Sequence, residues 1–264
     1  MVFDLFKSHR RARVRSLPPP PAWREILRRN LPIFNRLPDD DQAELLGQMQ
    51  VFLAEKHFEG AGGLDVSDEI RITIAGQACL LLLHRDTDYY PELTSIIVYP
   101  SGYTAHEDRH IGGGIWEEGG EDRLGHTGQR LGALVLAWDA VSHGASSPAD
   151  GENLVLHEFA HQLDFENHVT DGTPALEKRG DYLAWARVMS AEFDALRRAS
   201  YTGEAGVIDF YGTTSPAEFF AVITETFFER PRALKRKHPE LYAQLQQFYK
   251  QDPSGYSAEP VTAP

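Results

Sequence analysis

The order of the predicted elements along the chain indicates an α+β protein. Two helical patterns come first, two strand patterns follow, and from residue 152 onward the chain is mainly helical. Segregation of helices and strands along the chain is typical of α+β folds. The 264 residues, 42% of them hydrophobic, are enough for one domain with a sizeable core.

The first part of the chain divides into a tail and the start of a folded body. Residues 1–21 hold a basic cluster and four consecutive prolines, which cannot enter the interior of a helix or sheet, so we expect a flexible tail. The cluster is interpreted as solvated and mobile, with a docking arm for an acidic partner or a membrane surface as the alternative. A single domain is predicted over residues 22–253, followed by a disordered tail at 254–264.

The predicted domain begins with helices. "WREILRRNLPIF" (residues 23–34) and "PDDDQAELLGQMQVFLAEK" (residues 38–56) have helical patterns, and the second opens with acids that suit the positive end of a helix dipole. "DEIRITIAGQACLLLLHR" (residues 68–85) is ambiguous, because it starts with β-branched residues and continues with a helix-like apolar face.

Two strands and a group of helices complete the predicted fold. "TSIIVYP" (residues 94–100) and "GALVLAWDAV" (residues 132–141) have strand patterns. Residues 101–130, rich in glycine, charge and histidine, are expected to form an exposed hairpin or loop that could cover a cleft. Later helices are predicted near 152–165, 181–199, 216–229 and 232–250.

The stretch "LVLHEFAHQLD" at residues 154–164 carries the strongest chemical signal. On a helix, His157 and His161 share one face, so both imidazoles can reach one metal ion, while Glu158 flanks it. This is the H-E-x-x-H arrangement of zinc hydrolases, in which the acid is the general base. The apolar neighbours would bury the helix, and burying these polar groups unpaired would be costly. We therefore predict zinc, with a satisfied polar cluster as the alternative.

A third ligand is expected from a later helix, because catalytic zinc usually takes three protein ligands. "TTSPAEFFAVITETFFERP" offers Glu218, Glu225 and Glu229. Glu218 is favoured, although it lies three residues after Ser215 and could instead complete a capping box. Glu225 is the second candidate, and it could also accept a hydrogen bond from a ligand imidazole.

The residues just after the histidine pair exclude one class of site. The H-E-x-x-H-x-x-G-x-x-H pattern needs glycine where this chain has Asp164 and histidine where it has Asn167. His168 misses the required spacing by one residue and is interpreted as a loop histidine. Asp164 could accept a hydrogen bond from the second ring nitrogen of a ligand imidazole, or it could form a hydrogen bond within the loop that follows.

Several segments together resemble the Mlc titration factor A family. They are "HEFAHQLD", "YGTTSPAEFFAVITETFFE", "ELYAQLQQFYKQDP", "IIVYP" and "LVLAWDAV", and the resemblance spans roughly residues 22–253. These are bacterial zinc peptidases whose catalytic core is similar to that of anthrax lethal factor. The resemblance implies a zincin-like fold, with a small mixed sheet packed against helices and H-E-x-x-H on a central helix.

The resemblance also implies roles for individual residues. His157, His161 and Glu218 would bind one zinc ion per chain, Glu158 would be the general base, and Tyr211 would help to stabilise the transition state. The family is associated with aminopeptidase activity and with binding the glucose repressor Mlc.

Two functional readings follow. The first is a zinc-dependent, aminopeptidase-like enzyme that also binds an Mlc-like transcriptional repressor. The alternative is a zinc-containing regulatory protein that binds the repressor and has little peptidase activity. The intact Glu158 favours the enzyme, because a structural zinc site needs no base. A strand at 133–138 is expected to hold the peptide through main-chain hydrogen bonds, unless it is simply a core strand.

Composition narrows the partners and the compartment. A formal net charge of −13 makes the chain a poor nucleic-acid binder, so we expect no direct contact with nucleic acid. No apolar run is long enough to span a bilayer, and the start does not resemble a signal peptide. Cys79 is the single cysteine, so no internal disulfide can form, and a cytoplasmic location is expected. The expected partners are a peptide or protein substrate and, from the resemblance, a repressor, and no membrane is expected among them.

Overall fold

The computed structural model describes most of the chain, in these ranges: 2–110, 116–123, 125–128, 132–147 and 149–256. Within them, side chains are described outside 2–5 and 103–131. The helices in chain order are α1 (Val2–Arg15), α2 (Pro21–Asn30), α3 (Pro32–Arg36), α4 (Asp39–Glu55), α5 (Asp68–Leu80), α6 (Trp138–Ser146), α7 (Leu154–Asp164), α8 (Asp181–Thr202), α9 (Pro216–Glu229), α10 (Pro231–Lys237) and α11 (Pro239–Tyr249).

A small mixed sheet packs against these helices, as expected for an α+β protein. The strands in chain order are β1 (His57–Gly60), β2 (Ser95–Tyr99), β3 (Tyr103–His110), β4 (Trp116–Arg123), β5 (Gly125–Gly128) and β6 (Ala133–Ala137). In the main sheet the order is β1-β2-β6-β5, with β1, β2 and β6 parallel and β5 antiparallel to β6. Strands β3 and β4 pair separately as an antiparallel hairpin.

Alternate residues of the central strands fill the core. Ile96 and Val98 in β2, and Leu134 and Leu136 in β6, are fully buried, and the residues between them are partly exposed. A strand turns successive side chains to opposite faces, so this pattern marks one face of the sheet as covered. Strand β1 was not predicted, because its four residues "HFEG" carry no apolar alternation.

The ambiguous segment 68–85 begins with a helix, α5, whose first turn is capped by the Ser67 hydroxyl. Nearly all its residues from Ile70 to Leu80 are buried. A helix that is buried on every side has no polar face, and therefore no amphipathic period that a sequence reading can use.

Three predicted elements are interrupted. The helix expected at 23–34 breaks at Leu31, before Pro32, and the one expected at 232–250 breaks at His238, before Pro239. A residue that precedes proline is disfavoured in the helical conformation, which explains both breaks. The strand expected at 132–141 ends at Ala137, where α6 begins.

The basic segment at the start of the chain differs from the expected mobile tail. Residues 2–15 form α1, which packs beside α4. Arg11 donates to Glu55 at 2.7 Å and to the Asp88 carboxylate at 2.5 Å, and these pairs fix the helix to the body. The partners lie far away in the sequence, so no local pattern could have shown them. The predicted domain limits at 22 and 253 stay predictions.

The glycine-rich region contains the expected hairpin. Its backbone forms β3 and β4, with Tyr103 opposite Arg123 and His110 opposite Trp116. Residues 101 and 102 are exposed, and the side chains from 103 to 130 lie outside the described residues, so the expected exposure of 101–130 and its role as a lid stay predictions.

Helix α7 lies at the centre of the fold. It packs against α9 on one side and against α5, α6, β5 and β6 on the others. The Phe159 ring anchors it, with its centroid 5.8 Å from that of Phe52 and 4.8 Å from that of Tyr90. None of the described helices combines the length and the apolar character that crossing a bilayer requires.

Candidate metal centre

The buried face of α7 determines where the two histidines point. Asn153 caps the helix, since its side-chain oxygen accepts from the Leu156 amide at 3.0 Å. The apolar residues of α7 that are fully or almost fully buried are Val155, Leu156, Phe159, Ala160 and Leu163. His157 and His161 lie between these positions and keep 14% and 12% of their side chains exposed. Both imidazoles therefore reach solvent only through a small exposed area, the opening of the site.

Three ligand atoms converge at this opening. His157 Nε2 is 3.2 Å from His161 Nε2, and the Glu218 Oε2 atom is 3.0 Å from the first and 3.4 Å from the second. Donors bonded to one tetrahedral zinc ion at about 2.0–2.1 Å stand about 3.3 Å apart. The triangle therefore has the dimensions of one face of such a coordination sphere. Among the described residues, His157, His161 and Glu218 are the group that could hold a metal ion.

Glu218 reaches the histidines from the first turn of α9. Ser215 caps this helix, and its hydroxyl accepts from the Glu218 amide at 3.1 Å, while Pro216 occupies the first helical position. The backbone of Glu218 thus takes part in the cap that the sequence suggested. Its carboxylate, however, turns to His157 and His161.

Glu225 contacts the other side of the His157 ring. Its Oε1 atom is 2.8 Å from His157 Nδ1, and its second oxygen accepts from the Asn153 amide. A carboxylate that accepts from Nδ1–H leaves the lone pair of Nε2 directed at the triangle, as in the carboxylate–histidine arrangement behind many metal ligands. Glu225 is therefore placed to orient the His157 imidazole, and its carboxylate does not join the triangle of ligand atoms.

The charges of the site favour a cation. Burial lowers the pKa of His157, but its hydrogen bonds with Glu218 and Glu225 raise it more, to about 10. Burial raises the pKa of Glu218, yet its hydrogen bonds with His157 and His161 hold it well below its ordinary value. Two carboxylates thus stabilise positive charge between them. A divalent cation, which must displace the proton from His157, would take the same place.

The second ring nitrogen of His161 differs from that of His157. His161 Nδ1 is buried and has no hydrogen-bond partner in the part of the chain that the structure describes. Asp164, one turn further on, accepts from the Gly172 amide at 2.9 Å, so the loop contact considered for it is present. Burial raises the pKa of Asp164 to about 6.

Glu158 and Tyr211 flank the triangle in different surroundings. Glu158 is 6% exposed and follows His157 on α7. Tyr211 lies in a 3-10 turn, Phe210–Thr213, and is 56% exposed. Its ring centroid is 5.9 Å from that of His157. Tyr211 therefore lies beside the His157 ring at the surface, whereas Glu158 is a buried neighbour whose charge helps to raise the pKa of His157.

Three features near the site bear on what the sequence predicted. Strand β6, proposed as the peptide holder at 133–138, is paired on both sides, by β2 and by β5, so neither edge is open. Asn153 was not singled out, although asparagine before an apolar run is a recognised capping signal. His168 lies after the turn Phe165–Asn167, with its ring 6.0 Å from that of Phe165.

The model of a protein family described as Glucose-regulated metallo-peptidase M90 matches residues 6–250. The chain belongs to this metallopeptidase family. The match includes most of α1 and so begins earlier than the resemblance inferred from the sequence.

Individual relatives cover most of the chain. The "Uncharacterized protein slr2042" of Synechocystis sp. is 38% identical over 236 residues, which are 89% of this chain and 86% of the relative. "Mlc titration factor A" of Edwardsiella ictaluri is 30% identical over 226 residues, 84% of this chain and 85% of the relative. The protein of the same name from Serratia proteamaculans is 30% identical over 234 residues, 88% of this chain and 87% of the relative. These relatives confirm the resemblance to Mlc titration factor A.

Proposed function

We propose that this protein is a zinc-dependent, aminopeptidase-like peptidase with a zincin-like fold. His157, His161 and Glu218 hold one zinc ion, and Glu158 is the general base. The observation that carries this proposal is the triangle of donor atoms, whose edges of 3.0, 3.2 and 3.4 Å fit a tetrahedral ion. Two imidazole nitrogens and one carboxylate are a donor set that catalytic zinc uses, with a further position left open.

Each residue has a distinct task in the proposed reaction. A bound zinc ion would act as a Lewis acid towards the scissile carbonyl and would acidify water in the site. Glu158 takes a proton from the attacking water and passes it to the leaving amine. The Tyr211 phenol, at the exposed rim, donates to the oxyanion that develops on the substrate. Glu225 keeps His157 in the tautomer and orientation that the site needs.

The sheet offers one place for an extended peptide near this site. Strand β5 is at the end of the main sheet, runs antiparallel to β6 and lies beside α7. Its outer edge has no strand partner among the described residues. A peptide that added to this edge would receive main-chain hydrogen bonds and pass close to the histidines. The strand proposed to bind the peptide is therefore β5 and not β6.

The variant Glu158→Gln tests the enzyme proposal. Glutamine keeps the size of the side chain but cannot take the proton. We expect the wild type and the variant to hold about one zinc per chain, and the variant to lose about 10²–10⁴-fold in cleavage of unblocked peptides. N-acetylated peptides should be poor substrates, because an aminopeptidase recognises the free amino group. Glu240→Gln, which changes an exposed glutamate on α11, is the control for loss of a surface carboxylate.

Three results would refute parts of the proposal. Equal activity in Glu158→Gln would exclude Glu158 as the base. A zinc-loaded wild type that cleaves no peptide would refute the peptidase, and equal cleavage of N-acetylated peptides would refute the aminopeptidase-like specificity.

Repressor binding is a second candidate function. The relatives named Mlc titration factor A are 30% identical over most of the chain, and the net charge of −13 suits a basic surface on a DNA-binding partner. We expect a purified Mlc-type repressor to bind the protein with similar affinity in the wild type and in Glu158→Gln. Surface plasmon resonance measures this. No binding would refute the candidate, and the zinc and cleavage assays would be unaffected.

A further inference from the structure

A second cleft lies between α1, α4 and the loop after α5. It has a volume of about 420 Å³, within the range of small-molecule sites. Lys7, Arg11 and Arg15 of α1 line one side, and Arg85 and Gln48 line the other. None of these residues belongs to the candidate metal centre.

The lining of this cleft is basic although the protein as a whole is acidic. Two of its four basic side chains are already paired, since Lys7 and Arg11 both contact Asp88. Arg15 and Arg85 have no carboxylate within ion-pair distance among the described residues. Asp86, the other acid of the lining, is exposed. Neither guanidinium group is neutralised by a direct ion pair among the described residues, although Arg85 is near enough to the Glu166 carboxylate to lower its pKa against the effect of burial.

Two buried polar atoms of residues that line the cleft have no partner in the described part of the chain: Arg85 Nη1 and Gln48 Oε1. Gln48 is 1% exposed, and its amide nitrogen donates to Glu44 at 2.9 Å and to the Leu82 carbonyl at 3.1 Å. These two bonds leave its oxygen as an acceptor. An unpaired buried donor and acceptor are each costly. Both atoms lie below the surface of the cleft, so a ligand would meet the other nitrogens of the Arg85 guanidinium.

The loop that carries Arg85 is held in an unusual conformation. His84 and Tyr89 have φ angles of 61° and 59°, a left-handed region that bulky residues seldom adopt. The Arg85 guanidinium stacks on the Phe248 ring, 4.1 Å from its centroid. Its position is therefore set before any ligand arrives, which lowers the cost of binding.

We propose that this cleft binds a small phosphate monoester. Two unpaired guanidinium groups match the charge of a phosphate monoester near neutral pH, and their planar donors suit phosphate oxygens. The volume leaves room for a small carbon skeleton beside the phosphate.

Calorimetric titration of the zinc-loaded, full-length protein tests the proposal with three probes of one skeleton: glycerol 3-phosphate, glycerate and glycerol. We expect glycerol 3-phosphate to bind, glycerate to bind at least about tenfold more weakly, and glycerol not to bind. Arg85→Gln and Arg15→Gln should each raise the Kd for glycerol 3-phosphate about tenfold or more, because each removes a charged donor. Arg187→Gln, an exposed arginine of α8 outside the cleft, should leave the Kd unchanged.

The outcomes separate the alternatives. An unchanged Kd in both cleft variants would show that the phosphate binds elsewhere, for example at the metal centre, and would overturn the site. Equal affinity for glycerate would overturn the phosphate assignment, and no binding at millimolar concentration would overturn the proposal as a whole. Arg85 packs on an aromatic ring, so its variant could fold poorly. Arg15 is exposed, and its variant keeps the test decisive.

Discussion

Glutamate side chains have different surroundings at the open, N-terminal end of α9 and in its buried, C-terminal half. At the open end, the Glu218 carboxylate is 22% exposed and meets the Nε2 atoms of His157 and His161. At the buried end, Glu225 is 9% exposed and meets His157 Nδ1 and the Asn153 amide. One imidazole ring therefore stands between two glutamates that lie two turns apart on the same helix.

The difference between the two ends shows that burial and hydrogen-bond partners together decide the pKa of each glutamate. Hydrogen bonds with two imidazoles outweigh burial at Glu218 and lower its pKa, so this carboxylate stays ionised. At Glu225 and Glu229, further along the helix, burial affects the pKa more than the hydrogen-bond partners do. It raises the pKa of Glu225, and it raises that of Glu229 to about 8. An ionised acid at the opening suits a metal, and acids at the buried end suit the support of backbone and imidazole.

The largest expected effect is that of Glu218→Gln. Glutamine keeps the shape but removes the anionic oxygen from the triangle. We expect zinc affinity to fall by more than about a hundredfold, beyond the usual cost of losing an outer hydrogen-bond partner, and peptidase activity to be lost with it. Competition with a chelator measures the affinity. Unchanged zinc affinity would show that Glu218 is not a ligand.

Tyr211→Phe probes the exposed rim before α9. The phenylalanine ring keeps the packing near His157 but lacks the phenol donor. We expect kcat to fall about 10²–10³-fold, the usual cost of losing one oxyanion donor, and zinc content to stay at about one per chain. Steady-state kinetics separates the two parameters. A change in KM alone would mean that Tyr211 binds substrate without stabilising the transition state.

Glu225→Gln probes the buried support. The amide oxygen can still accept from His157 Nδ1–H, but the carboxylate that strengthens this imidazole as a ligand is gone. We expect zinc affinity to fall about 10–100-fold, less than for Glu218→Gln. If Glu225→Gln has the larger effect on affinity, the roles assigned to the two ends are reversed.

Glu229→Gln should have the smallest effect on zinc binding and activity. It tests how the burial of a carboxyl group changes the stability of the fold. The folded protein holds the Glu229 proton up to a pKa of about 8, whereas the unfolded chain releases it near 4.5. Stability that depends on this proton is therefore lost as the pH rises from about 4.5 to about 8. Glutamine keeps an acceptor for the Gly151 amide, which contacts Glu229 at 3.0 Å, and it carries no charge.

We expect Glu229→Gln to be more stable than the wild type at pH 8, by about 1 kcal/mol or more, because one pKa unit corresponds to about 1.4 kcal/mol. The two proteins should become similar in stability near pH 5. Urea unfolding at both pH values measures this, with zinc content and activity as controls. A destabilised variant at pH 8 would show that Glu229 is ionised in the folded protein.

The sequence predicts the parts of this site that depend on spacing along one helix. The i, i+4 histidines of α7 and the capped first turn of α9 are local patterns, and the helices predicted at 152–165 and 216–229 are present as Leu154–Asp164 and Pro216–Glu229. The choice between Glu218 and Glu225 stayed open, because both lie on similar faces of α9 and spacing cannot show which nitrogen of His157 each one meets.

The features that the sequence missed depend on contacts between distant segments. Helix α1 docks through Arg11 to Glu55, which is 44 residues away. The closed edges of β6 depend on pairing with β5, whose four residues "GHTG" carry no strand pattern. The short β1 and the fully buried α5 lack the alternation or the polar face that sequence reading uses. Local sequence patterns therefore predict the candidate ligand residues better than they predict the helices and strands packed around them.

The central claim is that Glu218, and not Glu225, completes the metal site with the two histidines. A crystal structure of the zinc-loaded protein, with anomalous scattering measured at the zinc edge, tests this most directly. We expect one strong peak within about 2.0–2.2 Å of His157 Nε2, His161 Nε2 and the Glu218 carboxylate, with Glu225 still bonded to His157 Nδ1. A zinc ion bound to Glu225, or a peak away from both histidines, would contradict the account.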